Sequence, residues 1–326
     1  MYLIINDSTS PQFNLAFEEY ALTGTDFEAV VLWRNSKAVI IGCNQNAVEE
    51  IDLEYTRKYD IPVIRRQSGG GAVFHDLGNV NFTVIQNVRE GDFNNYDLFT
   101  SPIIGFLATL GVHGERQGRN DLAVDGAKFC GNAQAAKKGR IMHHGCILYS
   151  ADFSDLVGSL RPRDIKFESH GVKSVRKRVT NLIDHMKSPM PVEEFLSGLA
   201  GYFMEHTPGI ERYEMTPEDI ASTALLAREK YSTWDWNFGK SPSYNMERSR
   251  RYDFGIVDLK LFVEGGMIED MHIYGDFFGT EDRGGLEKAM RGTRHDPSAI
   301  RAAMEDVGIG GYIAGMTLDE WIDLVY

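Results

Sequence analysis

Between Leu122 and Tyr149 the chain strings together three strand-length runs joined by two tight turns. Asp125-Gly126 separates Leu122–Val124 from Ala127–Ala133, and Lys137-Lys138-Gly139 leads into Arg140–Tyr149. An Asp-Gly pair between two such runs is a hairpin signal, because both residues tolerate the positive φ of a tight turn. Strands joined by so few residues run antiparallel. The rest of the chain mixes strands and helices without regular βαβ alternation. The expected class is therefore α+β with a mixed sheet, not a doubly wound parallel fold.

The flanks fill in the rest. Tyr2–Ile5 reads as a short strand. Ser10-Pro11 reads as a helix N-cap and first turn, with Phe13, Ala16, Phe17, Tyr20 and Ala21 on one apolar face. Ala29–Trp33, Ala38–Gly42, Pro62–Arg65, Ala72–Phe74 and Asn81–Ile85 read as extended, and 52–59, 97–110, 152–159, 191–206 and 216–230 as helical. Gly and aromatic residues crowd into Trp234–Gly239. After residue 250 the pattern restarts with two strands, Phe254–Val263 and Met267–Tyr274, and helices near 281–291, 297–306 and 317–325. Two domains are expected, 1–245 and 250–326, in keeping with a length of 326 residues.

Composition narrows the class. With 43% hydrophobic and 25% charged residues, the chain can bury a sizeable core. Three cysteines (Cys43, Cys130, Cys146) make no disulfide framework and have no CxxC spacing. No run reaches the roughly 18 apolar residues of a membrane helix, and the N-terminus lacks a signal-peptide pattern. A cytoplasmic protein is expected. The net charge of −13 argues against general nucleic-acid binding. It is unevenly spread: Lys128 to Thr180 holds eleven basic and four acidic residues, leaving the remainder at −20. Such a segment is either a surface for an anionic partner or a solvated face.

Three local patterns can carry chemistry. In Arg65-Arg66-Gln67-Ser68-Gly69-Gly70-Gly71-Ala72-Val73-Phe74-His75-Asp76 the glycines allow positive φ and close approach of backbone to a ligand. Successive N–H groups there can cradle an anion, and the two arginines can add phosphate contacts. No P-loop or GxGxxG is present. The second pattern is Lys128 on an internal strand, where Lys128, Cys130 and Asn132 share a face by the period-two rule. It either holds an anion in a cleft or is an edge-strand lysine in solvent. The third, His143-His144, cannot chelate one metal, since adjacent strand residues face opposite sides. No GxSxG elbow occurs.

Taken together, RRQSGGGAVFHDLGNVNFT (65–83), GRNDLAV (118–124), the AKFCGNAQ segment with Lys128, HHGCILYSADFSDL (143–156), KSVRKRVTNL (173–182) and WDWNFGKSP (234–242) resemble the lipoate–protein ligases of the biotin/lipoate ligase superfamily. The resemblance runs over nearly the whole chain. It implies a two-step acyl transfer: lipoate and ATP give lipoyl-AMP and pyrophosphate, and the lipoyl group then passes to a lysine of a carrier domain. It also implies a large catalytic domain and a small C-terminal accessory one. Lys128 matches the family lysine that touches carboxylate and phosphate. Arg66, Gly70, Gly71, Ala72, Val73, Phe74, His75, Asn120 and Asp121 are the implied nucleotide and adenylate contacts. Trp33, Val73, Phe74, Lys128 and His144 are implied for the lipoate slot. Mg²⁺ is expected on the triphosphate, with Asp121 the one candidate protein ligand.

The implied partners are lipoyl carriers, either the H protein of glycine cleavage or the lipoyl domains of 2-oxoacid dehydrogenases. The basic segment, with Lys137, Lys138, Lys173, Arg176, Lys177 and Arg178, is a candidate docking patch for them. Lys173 could instead approach the adenylate. Two alternatives stay open. An ATP-independent octanoyl or lipoyl transferase would use a cysteine thioester, with Cys130 or Cys146 as nucleophile. A non-catalytic module would bind lipoyl domains without turnover.

Overall fold

The computed structural model describes residues 1–45, 47–160, 179–238 and 246–326. Lys173, Arg176, Lys177 and Arg178 lie outside the described residues. In chain order the elements that shape the site are β1 (Tyr2–Asn6), α1 (Pro11–Thr23), β2 (Ala29–Trp33), β3 (Ala38–Ile41), α2 (Leu53–Lys58), β4 (Val63–Arg65), β5 (Val73–His75) and β6 (Asn79–Asn87). Then come α3 (Tyr96–Thr109), β7 (Glu115–Gln117), β8 (Asp121–Val124), β9 (Ala127–Lys137), β10 (Arg140–Leu148), α4 (Phe153–Ser159), α5 (Val192–His206), β11 (Glu211–Arg212) and α6 (Pro217–Leu226). The chain closes with β12 (Met246–Tyr252), β13 (Gly255–Glu264), β14 (Met267–Gly275), α7 (Arg283–Met290), β15 (Thr293–Arg294), α8 (Pro297–Met304) and α9 (Leu318–Val325).

The expected meander is the centre of the main sheet. Eight strands run in the order β11-β1-β2-β6-β10-β9-β8-β7. The β11–β1 and β1–β2 pairs are parallel and the remaining pairs antiparallel, so the sheet is mixed. Both turns form as hairpin tips, with Asp125, Gly126, Lys138 and Gly139 all at positive φ.

Each face of this sheet has its own core, because successive strand residues point to opposite sides. Phe82, Val84, Phe129, Ile141 and Ile147 pack one face against α3 and α5. The other face, with Val31, Trp33, Ile85 and Met142, meets α1 and a second, three-stranded sheet ordered β4-β3-β5. The space between the two sheets is where the site lies.

Helix α1 turns further than its apolar pattern implied. Ser10 caps it, accepting from the Phe13 amide, and Pro11 sits at its start. Its buried stripe is Asn14, Leu15, Phe17, Glu18, Ala21 and Leu22, while Phe13 and Tyr20 are half-buried. Two polar residues are thus driven inward, which only a polar partner inside can stabilise.

The C-terminal unit is a four-stranded antiparallel sheet, β12-β13-β14-β15, backed by α7, α8 and α9 around a separate core. Its first strand escaped the sequence reading. Met246–Tyr252 reads MERSRRY, exposed or half-buried throughout, so it carries no apolar alternation. It pairs with β13, and the sheet therefore begins before residue 250.

This unit is seated on the glycine loop. The Gly275 amide donates to the Asn44 carbonyl at 2.7 Å, and the Asn44 side chain donates to the Phe277 carbonyl. Arg119 donates to the carbonyls of Phe254 and Asp276 and lies 4.5 Å from the Phe278 ring.

Candidate active site

A cavity of about 140 Å³ lies between the main sheet and the smaller one. Its floor is one transverse row of the main sheet. Trp33 of β2 pairs with Asn81 of β6, Asn81 with Cys146 of β10, Cys146 with Gly131 of β9, and Gly131 with Asp121 of β8. Leu15, Ile40 and Val73 close the apolar end, and the glycine loop closes the other wall.

Lys128 reaches this floor through an irregularity. In the β8–β9 pair, Leu122 faces Cys130 but Ala123 faces Lys128, so Phe129 is an extra residue, a bulge. Phe129 and Cys130 both point into the core behind the sheet. Lys128 comes round to the cavity side, where its ammonium lies over Gly131; a Cβ built there would be 3.0 Å from Nζ. The ammonium pairs with Asp121 at 2.7 Å, and both side chains remain about one-third exposed at 32%. The expectation that Cys130 shares the face of Lys128 is thereby corrected. Period two fails where a residue is inserted.

Arg66 shapes the glycine loop from within. It donates to the carbonyls of Ile40, Gly69 and Gly71 and to Ser68 Oγ. Burial pulls its pKa down to about 10, which leaves it charged at neutral pH. Four of its five N–H donors are used, and one remains for a ligand. Gly70, at φ +89°, is the loop position that requires glycine, and a Cβ on Gly69 would sit 2.3 Å from the Phe277 carbonyl. Gly71 is different: a Cβ there meets nothing within 4 Å. Gly71→Val should therefore fold normally, and any rise in the apparent KM for ATP reports ligand proximity. An unchanged ATP titration would remove this loop from the nucleotide site.

Deeper in, a polar relay crosses the apolar end. The Trp33 indole donates to Thr83 Oγ1 at 2.9 Å, and Thr83 donates to Glu18 Oε1 at 2.6 Å. Glu18 Oε1 also lies 2.8 Å from His144 Nδ1, and His144 Nε2 lies 2.7 Å from Ser68 Oγ. Arg66 already donates to Ser68, so every atom is satisfied when His144 carries its proton on Nδ1 and accepts from Ser68. The buried Glu18 thus fixes the ring that lines the cavity. His75 also lines it; burial first, and then the charge of Arg66, push its pKa down to about 3, so it stays neutral.

Comparison with known proteins gives the geometry its context. The family model described as the lipoyl protein ligase A/B catalytic domain matches residues 10–204, and that for the bacterial lipoate protein ligase C-terminus matches 241–325. Lipoate-protein ligase LplJ of Bacillus subtilis (strain 168) is 40% identical over 326 residues, spanning 99% of this chain and 98% of its own. The chain belongs to the lipoate–protein ligase family. Lipoate–protein ligase 1 of Staphylococcus aureus (strain Mu50) is 38% identical, covering 98% of each chain.

Solved structures of ligases agree. P. falciparum LipL1 in complex with lipoate superposes with a TM-score of 0.77 at 25% identity, covering 99% of this chain and 97% of its own. Lipoate-protein ligase A bound with ATP gives 0.63 at 28% identity, over 73% of this chain and 98% of its own. A bi-partite ligase from Thermoplasma acidophilum, described with its E2 lipoyl domain, gives 0.66 at 30% identity, over 75% and 98%. This chain is an enzyme of the lipoate–protein ligase type.

Most of the residues expected at the ligase site converge. Trp33, Arg66, Gly70, Gly71, Ala72, Val73, His75, Asn120, Lys128 and His144 all border the one cavity. Others do not. Phe74 faces away from its neighbours Val73 and His75 and is buried beside Val39, Ile41 and Val63, so its ring is a core residue and no part of an acyl slot. Asp121 is engaged by Lys128, and no group of three potential metal ligands occurs among the described residues. Asp121 is thus a partner for the lysine and a poor lone metal ligand. Arg65 is no phosphate contact: all its side-chain bonds run to backbone carbonyls. His143 points behind the sheet, stacked on Phe99 at 4.8 Å. Sequence reasoning missed Glu18, Ser68, Thr83 and Asn81. A polar residue inside an otherwise apolar helix stripe was the available signal for Glu18.

Proposed function

We propose that this chain is an ATP-dependent lipoate–protein ligase acting in two steps within this cavity. The carboxylate of lipoate attacks the α-phosphorus of ATP, giving lipoyl-AMP and pyrophosphate. A carrier lysine amine then attacks the acyl carbon, and AMP leaves. The observation that carries this reading is the Lys128 ammonium over Gly131, at the open end of a slot whose other end is apolar.

Two anions must meet in the first step, and a fixed cation reduces their repulsion where charge develops. Lys128 takes that place. The loop of Gly70, Gly71 and Ala72, held in shape by Arg66, supports the nucleotide from the facing wall, with Asn120 beside it. Trp33, Val73 and His144 surround the tail. Mg²⁺ would arrive on the triphosphate, with no ligand set of its own here. Residues 1–245 serve as the catalytic domain and 250–326, with the strand ahead of them, as the accessory one.

The cysteine alternative is disfavoured by placement. Cys130 is buried in the core, where burial raises its thiol pKa well above the ordinary range. Cys146 faces the cavity, but burial pushes its pKa up to about 12, so it is a thiol at neutral pH and a weak nucleophile. The test is direct. Mixing protein, ATP, Mg²⁺ and free lipoate should release pyrophosphate, and adding an apo-carrier should yield a lipoylated lysine and AMP. Acyl transfer without ATP would replace this reading with the transferase, and binding without turnover would leave the module.

The carriers proposed are the glycine-cleavage H protein and the lipoyl domains of 2-oxoacid dehydrogenases, approached through the basic segment. Among the described residues, no helix is long and apolar enough to cross a membrane, and a cytoplasmic site of action fits the three free thiols. Lys138 stands exposed at the tip of the β9–β10 turn, whereas Lys137 donates to Gln67 Oε1 at 2.6 Å. Lys138→Glu is thus the clean probe and Lys137→Glu/Lys138→Glu the stronger one. Both should slow carrier acylation while pyrophosphate release from free lipoate stays near normal. The wild-type rate should fall more steeply with salt, since the Debye length is only about 8 Å at physiological strength. Equal loss in both half-reactions would assign the turn to the nucleotide or the fold.

A further inference from the structure

Asn81 stands out in the cavity floor because nothing in the protein satisfies it. Its side chain is buried at 1% exposure, and neither the amide oxygen nor the amide nitrogen has a hydrogen-bond partner. It borders the cavity between Trp33 and Cys146 on the transverse row. Its strand neighbour on the same face, Thr83, is satisfied twice over within the polar relay, and the nearby Asn79 donates to Phe74 and Cys146. An orphaned buried amide is a standing penalty, and such groups in native structures mark something that completes them.

The row fixes what that something is. Lys128 marks the carboxylate end, its ammonium above the Gly131 column. Asn81 lies two strands further along, on the order of 10 Å at about 4.8 Å per strand. The next column is Trp33, the apolar end. A medium-chain acid anchored at Lys128 therefore brings its far end, not its carboxylate, to Asn81. A saturated tail would leave the amide unpaired. A cyclic disulfide offers two polarisable sulfur atoms able to accept from the amide N–H, although sulfur is a weak acceptor.

We propose that Asn81 sets the acyl preference of this cavity, favouring a dithiolane tail over a saturated alkyl tail of similar length. This rests on the ligase reading of the same cavity. A site built around a polar group rejects the analogue that leaves it unpaired more strongly than apolar packing alone can discriminate.

The experiment compares lipoate with octanoate in wild type, Asn81→Leu and Asn81→Ala. Binding of each acid is measured by calorimetry, and pyrophosphate release gives kcat/KM. The wild type should prefer lipoate. In Asn81→Leu the lipoate-to-octanoate ratio should fall about tenfold in both measurements, with octanoate improving in absolute terms because the orphaned amide is gone. Asn81→Ala should move the ratio in the same direction if the larger side chain fails to fold. Equal change for both acids overturns the proposal and makes Asn81 the anchor of a buried water. Selective binding without pyrophosphate release in the wild type would overturn the ligase reading while the specificity assignment is judged on the binding ratio alone.

Discussion

Lys128→Ala loses acyl-adenylate formation while the protein stays folded. The side chain is one-third exposed and its single ion pair is with the equally exposed Asp121. Exposed pairs of this kind contribute at most about 1 kcal/mol to stability, so the melting temperature should move by only a few degrees. The catalytic loss is of another size. Removing one preorganised donor from a developing anion typically reduces the rate about 10²–10³-fold. Here the donor is a cation between a carboxylate and a phosphate, and Asp121 would be left behind with its negative charge uncompensated. Pyrophosphate release should therefore drop by at least that factor, and carrier acylation with it. Lys128→Arg should not restore it fully, because the planar guanidinium does not fit over the bare backbone of Gly131 as a compact ammonium does. A mutant that still makes adenylate at a near-normal rate would move the cation's role elsewhere.

Arg65→Ala should be the most damaging substitution for stability. The guanidinium donates to the carbonyls of Gly42, Cys43 and Gln45 on one side and of Trp236 and Asn237 on the other. The backbone of the same residue completes the clamp, its carbonyl accepting from the Trp236 indole at 2.8 Å and its amide donating to Asn237 Oδ1 at 2.9 Å. Burial lowers its pKa to about 10, which keeps it charged at neutral pH, so five carbonyls share one buried cation. Truncation orphans them together. At about 1–3 kcal/mol for each carbonyl that water cannot reach, a loss near 4 kcal/mol is expected even if the opened space hydrates most of them. That is a large part of the about 5–15 kcal/mol that holds a typical domain folded. Denaturant titration should show it as a lower midpoint. A shift under about 1 kcal/mol would mean the clamp is redundant.

How much of this was legible in the sequence depended on whether the cause was local. The β8–β9–β10 meander was readable because its turns need positive φ and advertise it as Asp125-Gly126 and Lys138-Gly139. Helix α5 was readable from its apolar period. The first strand of the C-terminal sheet was not, because an exposed edge strand has no face to bury and its residues carry no pattern. The site divided in the same way. The glycine loop and Lys128 stood out as residue types in unusual settings. Phe74 was misplaced because its neighbours Val73 and His75 do border the cavity, and a strand shows alternate residues to opposite sides. Glu18, Ser68 and Thr83 were hidden because their roles arise only when α1, the glycine loop and β6 meet, far apart in sequence. Asn81 was hidden more deeply still, since its signal is the lack of a partner.

The extra residue at Phe129 has a consequence for anyone wishing to move this chemistry to another scaffold. The lysine is aimed by a defect in the backbone, not by the side chains around it. Grafting Lys128 and Gly131 onto a regular strand would place them on opposite sides, because three positions is an odd step in a period of two. The charge would then be carried into the hydrophobic layer, where Cys130 now sits. The portable unit is the β8–β9 hairpin together with its inserted phenylalanine, which occupies the layer behind the sheet and holds the kink open.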